Sequence, residues 1–388
     1  MSRPLQKYKD ILDELSLEGR LRSLKHSTDE ALIDCTSNDY LAIGKDPLLR
    51  EEFLHFIESK GLIPPFGSCS SRLLYTNEDY YGDFEKLLSR LYDKEALIFN
   101  SGYHANVGIL SSLSVPGTLI LSDQLVHASI IDGIRLGKAI RKIFPHNDIS
   151  SLERILKEEA NKHERVLIVI ESVYSMDGDT SPLEEIVRLK NRFNNVMLYV
   201  DEAHAIGVKG ECGLGLCESF GLVKDVDVIV ATLSKAVASM GAFAIVNDVL
   251  KNFLINSSRA LIFSTAIPPL NIAWSQFILG RILDMDDRRK RLSKISRELS
   301  AFILKLTGEG EDHDSPIIPL MIGGNHRTVE ASQIMYGSGV LALPIRRPTV
   351  AEGTERIRIS LNASISDIEL AQIKGAVMRV ANDLLSDK

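Results

Sequence analysis

The sequence has few of the features that mark zinc-binding or membrane proteins. Its four cysteines, Cys35, Cys69, Cys212 and Cys217, include no C-x-x-C pair, so a zinc knuckle is not expected. Cysteines scattered in this way favour a reducing compartment. No apolar run approaches the roughly 18–20 residues that a membrane-spanning helix needs.

Clustered positive charge and a secretion signal are also lacking. Lys and Arg number 45 against 52 Asp and Glu, for a net charge of −7, and they form no basic block. A motor that tracks along a phosphate backbone usually carries a basic stripe. The N-terminal stretch MSRPLQKYKDILDELSLEGRL has the pattern of a charged amphipathic helix without the apolar core of a secretory signal. We therefore expect a cytoplasmic protein.

Residues 201–204 spell Asp-Glu-Ala-His, the acidic box of helicases, but the phosphate-binding loop G-x-x-x-x-G-K-[ST] that such enzymes need is missing. The two Gly-Lys pairs, at 44–45 and 137–138, precede Asp46 and Ala139 rather than Ser or Thr. A G-x-S-x-G elbow and an H-E-x-x-H helix are missing too, so serine-hydrolase and zinc-protease chemistry are not expected.

A chain of 388 residues is too long for one minimal core and predicts two structural units. Short apolar runs alternate with amphipathic stretches in its centre. The runs are ALIFN (96–100), TLILS (118–122), IRKIF (140–144), VLIVIE (166–171), VMLYVD (196–201), VDVIVAT (226–232) and AFAIV (242–246). Continuous runs of this kind indicate strands buried on both faces of a mostly parallel sheet. They predict a three-layer α/β domain over residues 45–280.

The pattern changes after residue 280. PIIPLMI, a helical stretch near 327–338, VLALPI, RIRISL and a closing helix from about Asp367 indicate a smaller α+β domain over 281–388. Residues 1–44 are predicted to form an N-terminal helical segment.

Three polar residues lie at or just after the ends of two predicted strands. Lys235 comes three residues after the run that ends in Thr232, where an amine can form a Schiff base with a ligand at the sheet edge, although most lysines are surface residues. Asp201 ends VMLYVD, either as a helix N-cap or as the partner of a cation such as the protonated pyridine nitrogen of pyridoxal phosphate (PLP). His204 either reaches the phenolic oxygen of that cofactor or is a half-buried structural histidine.

Other strand ends carry matching chemistry. In SGYHAN, Gly102 and Tyr103 open a helix whose backbone N–H groups can bind phosphate. His127 follows the next strand and can stack on a pyridine ring, and Ser175 lies in the turn after VLIVIE. Each has an ordinary structural explanation, but their occurrence at successive strand ends predicts one PLP site.

The motifs SGYHAN, D-x-x-x-H-A-S, ES-x-YSMDGD, DEAHA-x-G, T-x-x-K and RRPTVAEGTERIRISL resemble the α-oxoamine synthases. The resemblance runs from SNDYLAIG (37–44) to RIRISL (356–361). It implies PLP-dependent fold type I, a homodimer with shared active sites, and the joining of an amino acid to an acyl thioester with loss of carbon dioxide. SRLL (71–74) and HNDISSLE (146–153) favour members that use L-alanine and a pimeloyl thioester, on CoA or a carrier protein, in biotin biosynthesis. Members with other substrates share most of these residues, and a PLP aminotransferase is a further alternative.

The resemblance also implies residue roles at the cofactor. Lys235 would bond to it covalently, Asp201 would pair with its ring nitrogen, and His127 would stack on the ring. His204 and Ser175 would contact the ring oxygen. The remaining contacts, around the phosphate, would come from Gly102, Tyr103, Thr232 and, in the neighbouring subunit, Thr265.

The substrates would have a second group of residues. Arg358 would clamp the carboxylate of the amino acid, with Asn38 close to it. Arg22 and Thr349 would contact the acyl substrate, and Arg20 is the alternative to Arg22. His127 would hydrogen-bond the acyl oxygen.

Overall fold

The computed structural model describes residues 3–24, 32–74, 78–311 and 313–385. The chain divides into two compact units. The large unit comprises Leu41–Ser175 and Asp179–Arg289, and the small unit comprises Met1–Tyr40, Met176–Gly178 and Lys290–Lys388. The N-terminal residues are thus grouped with the C-terminal ones.

Strands and helices alternate along most of the chain. The strands are β1 (Ile33–Asp34), β2 (Glu95–Phe99), β3 (Thr118–Asp123), β4 (Ile140–Phe144), β5 (Arg165–Glu171), β6 (Val196–Asp201), β7 (Val228–Thr232), β8 (Ala242–Val246), β9 (Ile317–Met321), β10 (Val340–Leu341), β11 (Leu343–Ile345) and β12 (Arg356–Ser360). The α-helices are α1 (Arg3–Leu17), α2 (Pro47–Ser59), α3 (Glu78–Tyr92), α4 (Gly102–Leu113), α5 (Ala128–Leu136), α6 (Ile149–Glu159), α7 (Leu183–Lys190), α8 (Leu216–Ser219), α9 (Asp248–Ser257), α10 (Arg259–Ile262), α11 (Pro269–Ile282), α12 (Asp286–Thr307), α13 (Asn325–Gly337) and α14 (Asp367–Val380). A 3-10 turn (Ala160–Lys162) follows α6, and a π-helical turn (Ala381–Leu385) follows α14.

The large unit is built on a seven-stranded sheet in the order β2-β8-β7-β6-β5-β3-β4. Strands β3 to β7 pair in parallel, and β8 runs antiparallel to both β2 and β7. All seven predicted runs lie in this sheet, which confirms the mostly parallel α/β class. Every residue of β3 is buried, whereas β4 pairs only with β3 and keeps exposed side chains because it is an edge strand.

Helices α4 and α5 pack closely against each other beside the sheet. Ile109 of α4 and Ile130 of α5 share an apolar core with Val169 of β5. A Cβ atom at Gly133 of α5 would lie 2.7 Å from the carbonyl oxygen of Asn106 in α4, which is closer than a methyl group can approach. The absence of a side chain at Gly133 is therefore what allows this spacing.

The small unit contains an antiparallel sheet in the order β11-β12-β9 and a parallel pair, β1 with β10. The predicted strand VLALPI is divided at Ala342, since β10 pairs with β1 and β11 pairs with β12. Helix α14 begins with a capping box between Ser366 and Glu369. The end of α1 is held within this unit, because Asn325 donates to the carbonyl oxygen of Glu18 at 3.0 Å. In the described ranges, no helix combines the length and the apolar character needed to cross a bilayer.

Candidate active site

The carboxyl ends of β6 and β7 bring three of the predicted residues together. The two strands are parallel neighbours, with Asp201 in register with Val230. Lys235 follows β7, and its Nζ lies 2.8 Å from Nε2 of His204, in the turn after β6. A lysine and a histidine predicted for the same cofactor therefore meet at one sheet edge.

Asp201 is a buried carboxylate held by uncharged donors. Its Oδ2 accepts from the side-chain N–H of Asn106 at 2.7 Å, and its Oδ1 accepts from the backbone N–H of Ala203 at 2.9 Å. A buried carboxylate is stable only when its charge is compensated. A protonated pyridine nitrogen supplies such a charge, so the chemistry of this site fits PLP.

His127 is the N-cap of α5, and its ring orientation is fixed by Ser129. Its Nδ1 lies 2.7 Å from the Ser129 hydroxyl and 3.2 Å from the Ser129 backbone N–H, which donates to it. The residue keeps part of its surface exposed, while the surrounding protein excludes water from part of the ring. Loss of water around the ring lowers the pKa of His127, and the charge of Asp201 acts in the opposite direction. A neutral imidazole with a free face can stack on a cofactor ring.

The start of α4 lies against the end of β7. Ser101 caps the helix by accepting from the backbone N–H of His104, which leaves the first backbone N–H groups available to an anion. A Cβ atom at Gly102 would lie 3.5 Å from Cβ of Thr232, so the helix start and the buried threonine are in contact range. The Tyr103 hydroxyl instead donates to Asp132 at 2.6 Å.

Two other predicted cofactor residues lie in loops of the large unit. Ser175 is half-buried in the loop after β5. Thr265 is exposed, and its carbonyl oxygen accepts from the side chain of Asn100.

The small unit holds the predicted carboxylate-binding pair. Arg358, on β12, is 9% exposed. Its Nη2 donates to Oδ1 of Asn38 at 3.0 Å, and its Nη1 donates to the Ser360 hydroxyl at 2.6 Å. Tyr40 also donates to Asn38, at 3.1 Å. Burial raises the pKa of Tyr40 to about 12, against the opposing charge of Arg358, so the hydroxyl keeps its proton.

The predicted acyl-binding pair is also formed within the small unit. Nη2 of Arg22 donates to the Thr349 hydroxyl at 2.8 Å. Both residues line an open cleft of about 640 Å³, together with Leu21, Ser332, Leu343 and Arg346. Arg20, the alternative to Arg22, instead pairs with Glu18 at 2.6 Å.

Four residues beside the predicted ones were not predicted from the sequence. Asn106 and Tyr199 are buried, and the Tyr199 hydroxyl donates to Oδ1 of Asn106 at 2.5 Å. Ser129 joins Asn106 to His127. Glu171 is in register with Asp201 and accepts from the backbone N–H of His127. Burial, and then the charge of Asp201, raise the pKa of Glu171 well above its ordinary value.

Glu202, for which the sequence predicted no role, holds the turn between Asp201 and His204 in place through its hydrogen bonds. It is fully buried and accepts hydrogen bonds from three neighbouring residues. They come from the Ser172 hydroxyl at 2.6 Å and from the backbone N–H groups of Leu216 at 3.0 Å and Cys217 at 2.7 Å. Burial raises the pKa of Glu202, and hydrogen bonds from the Cys217 thiol, the Ser172 hydroxyl and the two backbone N–H groups act in the opposite direction.

His146 lies between two carboxylates and connects the loop that carries Ser175 to the end of β3. Its Nδ1 is 2.9 Å from Asp123, and its Nε2 is 2.7 Å from Asp179. Burial alone would lower the pKa of His146, but the hydrogen bonds to Asp123 and Asp179, and then their charges, raise it to about 10. The pair with Asp179 fixes the end of the loop.

The chain is similar to known proteins over most of its length. The model of the family described as aminotransferase class I and II matches residues 30–377. The 8-amino-7-oxononanoate synthase of Haemophilus ducreyi is 42% identical over 370 residues, which cover 92% of this chain and 96% of that protein. A lysine-to-alanine variant of the serine palmitoyltransferase from S. paucimobilis, solved with bound PLP–myriocin aldimine, has a TM-score of 0.87 and 26% identity and covers 97% of both chains. The crystal structure of 8-amino-7-oxononanoate synthase from Francisella tularensis has a TM-score of 0.75 and 26% identity, over 92% of this chain and 98% of that one.

These similarities confirm the expected fold type I architecture and the PLP cofactor. They extend over nearly the whole chain and over nearly the whole length of each relative. The chain belongs to the aminotransferase class I and II family and, within it, to the α-oxoamine synthases, which are PLP-dependent acyltransferases.

Proposed function

We propose that this chain condenses L-alanine with a pimeloyl thioester, releases carbon dioxide and the thiol, and forms 8-amino-7-oxononanoate for biotin biosynthesis. The observation that carries the reaction type is the 2.8 Å contact of Lys235 with His204, at the sheet edge that also holds Asp201. The choice of substrates is supported by the relative of that name, which is 42% identical over most of both chains.

Within the large unit, the cofactor ring would be held by Asp201, His204, Ser175 and His127. Asp201 would offer its carboxylate to the pyridine nitrogen, and His204 and Ser175 would contact the ring oxygen. When bound, PLP supplies an electron sink for negative charge at the α-carbon of an amino acid.

The phosphate of the cofactor would lie at the start of α4. The backbone N–H groups of Gly102 and Tyr103 would donate to it there, with the Thr232 hydroxyl beside them. The helix start favours an anion because its N–H groups and its dipole both present positive charge.

Proton transfer would be the task of Lys235. Its Nζ would take the proton from the α-carbon of alanine and return one after carbon dioxide has left. The contact with Nε2 of His204 would help to orient Nζ for this step. His127 would donate a hydrogen bond to the acyl oxygen, which stabilises negative charge that develops there.

Substrate recognition would fall to residues of the small unit. Arg358 would bind the carboxylate of alanine, for which a planar guanidinium is suited, and Asn38 would hold that guanidinium in place. Arg22 and Thr349, which already contact each other in the cleft, would bind the acyl substrate.

We also propose a homodimer in which Thr265 of one subunit reaches the cofactor phosphate of the other. Large apolar side chains that are left exposed support a partner surface, among them Ile63 at 90%, Phe66 at 87% and Phe263 at 68%. Sedimentation should then give twice the chain mass of 43.0 kDa. A species of single-chain mass at micromolar concentration would contradict the dimer.

The substrate proposal is tested by a panel of acyl-CoAs and acyl-carrier proteins, each with L-alanine, glycine or L-serine. Release of free thiol measures condensation, and mass spectrometry identifies the product. We expect L-alanine with a pimeloyl thioester to give the highest kcat/KM. If glycine with acetyl-CoA or L-serine with palmitoyl-CoA were faster, the proposed substrates would be wrong within the same family. Conversion of alanine to pyruvate without thiol release would indicate an aminotransferase.

A further inference from the structure

A buried chain of hydrogen bonds connects Asp201 to His127 within the large unit. Nδ2 of Asn106 lies 2.7 Å from Oδ2 of Asp201 and 2.9 Å from the Ser129 hydroxyl. That hydroxyl lies 2.7 Å from Nδ1 of His127. The Tyr199 hydroxyl closes the other end of the chain, 2.5 Å from Oδ1 of Asn106.

The direction of each hydrogen bond follows from the chemistry of its ends. An ionised Asp201 can only accept, so the amide nitrogen of Asn106 must face it. Burial, and then the charge of Asp201, hold the pKa of Tyr199 well above its ordinary value, so its hydroxyl keeps a proton and donates to Oδ1 of Asn106. The second hydrogen on Nδ2 is then directed to the hydroxyl oxygen of Ser129.

This arrangement fixes the proton on the ring of His127. Because the Ser129 hydroxyl accepts from Asn106, its own hydrogen is free to point at Nδ1 of His127. The Ser129 backbone N–H donates to the same nitrogen. Two donors aimed at Nδ1 leave it unprotonated, so the proton of the neutral ring is on Nε2.

We propose that Asn106 is a positioning residue for two groups at once. It holds the Asp201 carboxylate and, through Ser129, it fixes His127 in the tautomer that donates from Nε2. The consequence for catalysis rests on the proposed function, in which Asp201 and His127 contact the cofactor. The tautomer itself does not depend on that proposal.

The test uses the full-length chain labelled with ¹⁵N-histidine, with and without PLP. Two-bond ¹⁵N–¹H correlations separate the two neutral tautomers, and a His127→Gln variant assigns the signal. Two variants test the chain of hydrogen bonds. Asn106→Ala removes the hydrogen bonds to Asp201 and to Ser129, whereas Ser129→Ala removes the hydroxyl that connects Asn106 to His127 and leaves the bond to Asp201 in place. Ser112→Ala is the matched control, since Ser112 is also buried on α4 but its hydroxyl donates to the Gly108 carbonyl oxygen within its own helix. Thermal unfolding of each variant verifies the fold.

We expect His127 in the wild-type chain to carry its proton on Nε2. Ser129→Ala should populate the other tautomer measurably and keep the PLP affinity within about threefold. Asn106→Ala should also weaken PLP binding about tenfold to a hundredfold, because the Asp201 carboxylate loses a hydrogen bond to a charged group. Ser112→Ala should match the wild type in both measurements.

The inference is overturned if His127 in the wild type carries its proton on Nδ1. It is overturned as well if Asn106→Ala gives the same tautomer and PLP affinity as Ser112→Ala. A wild-type chain that binds no PLP would contradict the proposed function instead, and the tautomer in the cofactor-free chain would still decide the role of Asn106.

Discussion

Arg356 and Arg358 lie two positions apart on β12, so their side chains leave the same face of the strand, and both are buried. They have different partners. Arg356 pairs with Asp177, whereas Arg358 donates to Asn38 and Ser360. The two arginines can therefore be compared experimentally, Arg356 for its effect on the fold and Arg358 for its proposed role in substrate binding.

Replacement of each arginine by lysine should separate these roles. Arg358→Lys should raise the KM for the amino acid about tenfold to a hundredfold, because a single ammonium cannot form the two parallel bonds of a guanidinium. Arg356→Lys should lower the thermal midpoint and leave that KM within about twofold. Steady-state kinetics of both variants measure the KM, and thermal unfolding measures the midpoint. An unchanged KM in Arg358→Lys would remove Arg358 from the proposed site.

Lys235→Ala should abolish covalent attachment of the cofactor and reduce condensation roughly a thousandfold or more, since the proposed base is lost. Borohydride reduction followed by peptide mass spectrometry should find the cofactor on Lys235 in the wild type. Lys224→Ala is the control, because Lys224 is an exposed lysine paired with Asp93. A cofactor adduct on another lysine of the wild-type chain would contradict the assignment.

The stability of the fold should depend on pH through His146. Its pKa is raised to about 10 in the folded chain, whereas the pKa of a histidine in an unfolded chain is about 6.5. Because the pKa is raised on folding, protonated His146 makes its full contribution to the free energy of unfolding below about pH 6.5. That contribution is lost as pH rises through about 10, and the free energy changes by no more than about 1.4 kcal/mol per pH unit.

The measurement is the free energy of unfolding from urea titrations between pH 6 and pH 10. The difference between the wild type and His146→Gln should shrink as pH rises. His55→Gln is the control, since this histidine is exposed on α2, and it should track the wild type at every pH. A difference that stays constant across the range would show that His146 carries no stabilising charge.

Removal of the Glu202 side chain should destabilise the turn that carries Asp201 and His204. Glu202→Ala leaves the hydroxyl of Ser172 and the backbone N–H groups of Leu216 and Cys217 without their acceptor. We expect the free energy of unfolding to fall by about 3 kcal/mol or more. Glu211→Ala, at an exposed glutamate, should change it by less than about 0.5 kcal/mol. Equal stabilities of the two variants would refute the anchoring role.

The sheet could be predicted because its strands are uninterrupted apolar runs with clear ends. VMLYVD and AFAIV coincide with β6 and β8 residue for residue. The approach of His204 to Lys235 also follows from sequence, since the carboxyl ends of neighbouring parallel strands meet at one edge. The division of VLALPI could not be foreseen, because it depends on which partner strand each half finds.

The buried polar residues were harder to identify for a physical reason. Asn106 lies within the motif SGYHAN, but the group that it holds, Asp201, is 95 positions away. A hydrogen bond of that range leaves no spacing pattern in the sequence. Glu202 was passed over for the same reason, since its acceptor role depends on Ser172 and on the start of α8.

The contact at Gly133 has a consequence for how this enzyme can be engineered. A methyl group there would push the backbone of α4, whose first N–H groups are proposed to bind the cofactor phosphate, away from α5, which His127 caps. Variants that place a side chain at Gly133 should therefore lose activity. The cleft with Arg22 and Thr349 shares no residue with either helix. Because the acyl substrate is proposed to bind in that cleft, its residues are the better positions at which to select for new acyl chains.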